Sequence, residues 1–257
     1  MPPKAVRPDF LWSILSVLWN RGRLLLGGRM ARHTILVTGG NLVGQSIGFL
    51  ASLILMRTLG PEDYGRFGVA LALMTLASQL SDIGITTGFV RYMALYARDE
   101  PARSVRLMRL TFLLKVAVGV GVLVVGWFLS GILAERFLRA PVLTPLLKLA
   151  FVGSFGATLF GFFQAIFQAK ERFGPYVRAN VINNLLKVVL VAAAGVAGLL
   201  NPLLAVGVFA VVPYLGALGT LPALAGHERR AVFSGPWDGD TARVLMGFSK
   251  WVTLSTV

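Results

Sequence analysis

Arg57-Thr-Leu-Gly-Pro-Glu-Asp-Tyr-Gly-Arg66 joins two apolar spans, Thr34–Met56 and Phe67–Val90, and its reading decides the fold. Each span reaches the roughly 20 helical residues that a bilayer core requires. Gly60-Pro61 is a helix stop and turn signal, and Gly65 reads as a second break. The connection is short enough only for a tight hairpin. Asp82 falls well inside the second span, where an ionisable group is costly and marks a candidate functional site.

The composition agrees with this start. Apolar residues make up 56% of the 257 and charged residues 14%, against about 25% charged in an ordinary soluble domain. Mean hydropathy is +0.73. These values predict an all-α polytopic membrane protein, because most of the apolar runs lack the polar face of a soluble helix. The net charge of +14 then reads as loop cations touching anionic headgroups, not as a nucleic-acid surface. There is no cysteine and there are two histidines, His33 and His227. Disulfides and cysteine metal sites are excluded, and a histidine centre is not expected.

Taken in order, residues 1–33 form a basic segment. Phe10–Trp19 within it carries Trp12 and Trp19 seven apart on one helix face, which predicts an interfacial helix. Four further spans follow the hairpin: Thr111–Leu133, Leu146–Gln168, Ala179–Leu200 and Leu203–Leu224. Pro213 is expected to kink the last of these. Residues 34–224 are thus a six-helix lobe, and 225–243 a polar loop. Residues 244–257 begin a seventh span that is too short to cross, so the chain is expected to be a fragment or truncated half. With the N-terminus placed inside, seventeen of the 25 Lys and Arg fall in inside segments. Four (Arg57, Arg66, Arg136, Arg139) fall outside, and Lys115, Lys148, Lys187 and Lys250 lie in or at spans. That asymmetry predicts a multi-pass protein with a cytoplasmic N-terminus.

Polar residues within the spans are aligned on faces. Asn180, Asn183, Asn184 and Lys187 share one face of the fifth span. Thr38, Asn41 and Gln45 share one face of the first, and Thr75, Ser78, Asp82 and Thr86 one face of the second. Ser154, Thr158, Gly161 and Gln168, with Gln164 nearby, make a weaker row on the fourth. The third and sixth spans read as wall or lipid-facing helices, with Lys115 snorkelling from about one turn inside its span. Asp82, Lys187 and Asn41 lie at similar depth, about 12 Å. Charges in hydrocarbon face cavities and pair with one another. The expectation is therefore a polar chamber open to the cytoplasmic half, with Asp82 beside Lys187. The competing reading of the amides is interhelical hydrogen bonding; the acid and the base are either a structural or a functional pair.

Three stretches carry a resemblance. Arg57–Gly68 resembles the loop after the first span of polysaccharide flippases of the MOP superfamily (multidrug, oligosaccharidyl-lipid, polysaccharide). Leu80-Ser-Asp-Ile-Gly-Ile85 with Arg91-Tyr92 is similar to the end of that family's second span, and Phe163–Phe173 to its fourth-span exit. The resemblance covers about residues 34–257. It implies 12 to 14 helices in two six-helix lobes, of which this chain holds the N-terminal one plus the start of a seventh helix. It also implies alternating access that carries a polyprenyl-diphosphate-linked glycan across the cytoplasmic (inner) membrane, within a chamber whose candidate residues are Asn41, Gln45, Asp82, Gln164, Asn184 and Lys187. Lys187 is then a phosphate contact and the amides are partners for sugar hydroxyls. Asp82 either holds Lys187 or binds a coupling proton or Na+. A polysaccharide polymerase complex is the expected protein partner. A cation-coupled small-molecule exporter of the same superfamily and a non-transporting membrane scaffold are the alternatives. An enzyme is not expected: no nucleophile motif or carboxylate pair stands out, and Gly119, Gly121 and Gly126 read as helix-packing glycines.

Overall fold

A computed structural model describes residues 29–82 and 84–234. The segment around Trp12 and Trp19 and the start of a seventh span at 244–257 lie outside the described residues.

Arg29–Leu80 is one helical run of 52 residues broken only at Gly60, whose φ of 76° and ψ of 172° leave the helix. Glycine takes positive φ without a Cβ penalty. The break divides the run into α1 (29–59) and α2 (61–80). Pro61 opens α2, where its missing N–H costs nothing. Glu62 and Asp63 stand in the first turn, where the helix dipole favours acids, and both bond Arg66, at 2.5 and 2.8 Å. The expected ten-residue loop is therefore a one-residue turn, and Gly65 is helical, not a second break.

The turn reverses the chain. Gly40 of α1 faces Val177, Gly44 faces Asn180 and Asn184, and Thr58 approaches Gly195, so α1 runs parallel to α6 (Phe173–Val196). The C-terminal end of α2 instead shares a cavity with Tyr176 and Asn180 at the start of α6. α1 and α2 are thus antiparallel. The second pass is also interrupted. α2 stops at Leu80, Gly84 adopts φ 72°, and α3 restarts at Ile85 and runs to Asp99.

α4 spans Pro101–Ile132, ten residues earlier than the hydropathy of the third span suggested, and continues into a wider turn at Leu133–Phe137. α5 is Thr144–Ala169 and α7 is Pro202–Thr220. Among the described residues five helical runs are long and apolar enough to cross a membrane. The first of them folds back at Gly60, so the bundle makes six passes. This is an all-α polytopic membrane protein.

α5 is the central pillar. In its most apolar stretch 56% of residues are buried, against 17% in the Val37–Leu80 run and 11% in α6, so those helices leave most of their surface outside the bundle. One apolar cluster joins Leu55, Phe67, Leu147, Val191 and Val206. The other joins Phe89, Met108, Phe162, Ile166 and Phe167 at the opposite end. Lipid is as apolar as leucine, so association relies on close backbone approach at small residues. At Gly153 a Cβ would lie 2.8 Å from Ala210 Cα of α7 and 2.5 Å from Met74 Sδ of α2.

The polar segment after the sixth span, expected to be a loop, begins with a nine-residue helix of its own, α8 (Gly226–Ser234). Glu228 of α8 is buried. It accepts bonds from Lys170 Nζ (2.7 Å), Arg172 Nη1 (3.2 Å) and the Ala225 amide (2.8 Å). Arg172 Nη2 also bonds the Ala223 carbonyl at 2.8 Å. Ala231 and Val232 face the core on the same side. Burial alone raises the Glu228 pKa, but the hydrogen bonds and the charges of Lys170 and Arg172 outweigh it and hold it below its ordinary 4.5.

Two outcomes follow from this packing. Gly153→Val is expected to cost about 1–3 kcal/mol by overpacking, read as a lower thermal midpoint in detergent. Gly121→Ala, with open space around it, is expected to leave the midpoint unchanged. A depressed carboxylate pKa contributes stability above its unfolded value that is lost as pH falls through the folded one. A spin label at Ser234→Cys, in a chain with no cysteine of its own, is expected to stay immobilised at neutral pH. It should become mobile only below about pH 4.5, and Glu228→Gln should give the mobile spectrum at neutral pH.

Candidate functional site

The break in the second pass places Asp82 at an unwound turn. Its carbonyl accepts the Ile85 amide at 2.7 Å. Its Oδ1 accepts the Thr86 amide (3.2 Å) and the Thr86 hydroxyl (2.6 Å). Asp82 therefore does for α3 what an N-cap side chain does, supplying an acceptor where the new helix has none. Non-helical backbone at membrane depth persists where its polar groups are satisfied within the protein.

Lys115 of α4 completes the group. Its Nζ donates to Asp82 Oδ1 at 2.7 Å and to Thr86 Oγ1 at 2.6 Å. Lys115 is 2% exposed, so its charge is neutralised within the bundle and not at a headgroup. This corrects two expectations from the sequence. Lys115 does not snorkel, because its Nζ is turned inward to Asp82 and Thr86. Asp82 does not pair with Lys187. Lys187 is about 10 Å further along α6 than Asn180, with its Nζ over the Phe209 ring, 5.4 Å from the centroid. Nor is the third span merely a wall, since it supplies the base.

Asp82, Thr86 and Lys115 face a cavity of about 870 Å³. α5 contributes Thr158, Gln164 and Gln168 to its lining, α6 contributes Tyr176 and Asn180, and α2 contributes Ser78 and Gln79. The cavity is closed on one side by the pillar helix. It lies at the end of the bundle where α2 gives way to α3 and α6 begins. Gln164 Nε2 donates to the Tyr176 carbonyl at 3.3 Å. Its Oε1 is buried with no hydrogen-bond partner.

The remaining candidates fall beside the chamber. Asn180 Nδ2 donates to Asn41 Oδ1 (3.3 Å), and Asn184 Nδ2 donates to Asn180 Oδ1 (3.2 Å). These three amides form a ladder between α1 and α6, and Asn180 alone of them lines the cavity. Gln45 is exposed on the outer face of α1. Asn183 turns the other way and donates to the Val212 carbonyl of α7 at 3.1 Å. Ser154 and Thr158 bond carbonyls of their own helix. Of the six sequence candidates, Asp82 and Gln164 line the chamber, and Asn41, Gln45, Asn184 and Lys187 do not. Lys115 is the residue that sequence reasoning placed elsewhere. The signal that could have found it was the acid at Asp82, which demands a buried cation.

A family model described as "Polysaccharide biosynthesis protein" matches residues 30–257. No curated protein and no solved structure matches the chain.

The two lysines give a direct check on this geometry. Lys115→Met leaves Asp82 without its cation and, with the carboxylate partly open to the cavity, is expected to cost about 2–3 kcal/mol. Lys187→Met loses one cation–ring contact and is expected to cost about 1 kcal/mol or less. Thermal midpoints of the purified variants in one detergent rank the two; an equal loss would refute the assignment of Lys115 as the partner of Asp82.

Proposed function

We propose, from the premise that this chain belongs to the polysaccharide biosynthesis family, that it acts as one lobe of a transporter. That transporter flips a polyprenyl-diphosphate-linked glycan across the cytoplasmic membrane by alternating access. The observation that carries this reading is the chamber of about 870 Å³ with a lysine–aspartate pair and uncharged amides and hydroxyls on its walls. A lipid-linked sugar needs a wet, partly cationic space for its head while the polyprenyl tail stays in the bilayer. Amides such as Gln164, Gln168 and Asn180 on the chamber wall suit sugar hydroxyls. Lys115 suits a phosphate oxygen as a compact point charge.

The pair also suggests how transport is coupled. Lys115 is held by Asp82 and Thr86, so a phosphate must compete with the carboxylate for the ammonium. Protonation of Asp82 weakens its hold and frees Lys115 for the anionic head; loss of that proton restores the pair and expels the head. Asp82 is the candidate site for the coupling proton or Na+, and either cation must compete with an ammonium 2.7 Å from the carboxylate oxygen. The excess of basic residues at the chamber end of the bundle agrees with that end lying in the cytoplasm.

A double replacement separates transport from a scaffold role. Asp82→Asn with Lys115→Met removes both charges and is expected to recover most of the stability lost in Lys115→Met. It is expected to abolish the appearance of lipid-linked glycan on the outer face of cells that depend on the chain. Normal transport by the folded double variant would leave the pair as a structural element only and sink the proposal.

A further inference from the structure

The face of α5 turned away from the chamber borders a second hollow. Phe112 of α4, Leu159 and Phe163 of α5, Leu218 of α7, Leu221 just beyond it and Phe233 of α8 line an apolar groove of about 230 Å³. α4, α5 and α7 belong to the membrane-spanning runs, so an apolar groove between them meets lipid, and hydrocarbon is what fills it. Leu218 at its rim is 61% exposed. The Phe112 and Phe233 rings meet edge to face at 5.5 Å, and Arg109 Nη1 donates to the Phe233 carbonyl at 3.1 Å. α8 is thereby fixed over the end of the groove.

Phe233 is also a wall of a different hollow, of about 570 Å³, bounded by His227, Arg229, Arg230 and Ser234. Arg229 and Arg230 are exposed. The one acid of α8, Glu228, points inward and is already taken by Lys170 and Arg172. The charged side chains on the outer face of α8 are therefore both cationic, and that face adjoins an apolar groove through a shared phenylalanine. α8 begins at Gly226, a short turn after α7 ends at Thr220.

We infer that this joint of α4, α5, α7 and α8 is a binding site for one anionic membrane phospholipid. The site takes an acyl chain in the groove and the headgroup phosphate on Arg229 and Arg230. Cation and groove are adjacent because α8 is amphipathic: Glu228, Ala231 and Val232 face the core, while Arg229, Arg230 and Phe233 face outward. The site is separate from the chamber, on the opposite face of α5, and does not rest on the transport reading.

The test uses the full chain, delipidated in detergent and titrated with phosphatidylglycerol, phosphatidylcholine or glycerol phosphate, with retained lipid counted by native mass spectrometry. The expected result is one phosphatidylglycerol retained per chain, with weaker retention of phosphatidylcholine and none of glycerol phosphate. Arg229→Gln with Arg230→Gln should weaken phosphatidylglycerol retention by about thirtyfold, the product of two headgroup contacts, and leave phosphatidylcholine unchanged. Leu218→Trp, which fills the groove rim, should weaken both lipids. Unchanged phosphatidylglycerol retention in the double arginine variant would overturn the inference, as would retention of glycerol phosphate equal to that of the lipid. A normal circular dichroism spectrum and thermal midpoint for each variant keep misfolding from imitating a lost site.

Discussion

A lysine ammonium buried among apolar helices must have a counter-charge. In this bundle that requirement is met by one carboxylate oxygen, and much else depends on it. Asp82 reaches Lys115 from an unwound turn between α2 and α3, where its oxygen also takes the Thr86 amide and hydroxyl. The same atom thus neutralises the base and caps the restarted helix. A continuous second pass would leave Thr86 bonded to its own helix and forfeit the cap. The ion pair and the helix break support each other, and the cavity opens where they meet.

α5 turns this local arrangement into architecture. It is the helix with neighbours on most sides, and its two faces have different chemistry. Thr158, Gln164 and Gln168 look into the chamber, whereas Leu159 and Phe163 look into an apolar groove. Glycines let α2 and α7 come close enough to clasp it, as at Gly153. The pillar therefore separates a wet compartment from a greasy one by the thickness of a single helix.

The passes themselves were legible in the sequence because hydropathy reports directly on a membrane environment. Gly60-Pro61 marked the reversal correctly, although the chain needs a single residue where ten were set aside. Asp82 and Gln164 were found because polar residues on an apolar helix point inward. What failed was pairing by depth. Counting from hydropathic boundaries put Lys115 near the surface, since the arginine-bearing first turns of α4 (Arg103, Arg106, Arg109) look like loop. Lys187, counted to the same depth as Asp82, lies about 10 Å further along α6 than the cavity-lining Asn180, with its Nζ over Phe209. α8 escaped notice because its polar residues outnumber the small apolar ones, and the partners of Glu228 lie more than fifty positions away.

The turn at Gly60 has an electrical consequence. Residues 57–66 hold two bases, Arg57 and Arg66, and two acids, Glu62 and Asp63. The tip of the first hairpin thus has zero net charge, and Arg66 bridges both acids. Work done by a transmembrane voltage scales with the charge moved, about 2.3 kcal/mol per unit charge per 100 mV. For this tip the net work is nil, so voltage neither pulls it across during insertion nor holds it back. The first two passes can enter the bilayer as an electrically silent wedge, and the choice of side falls to the arginine-rich segments at the other end.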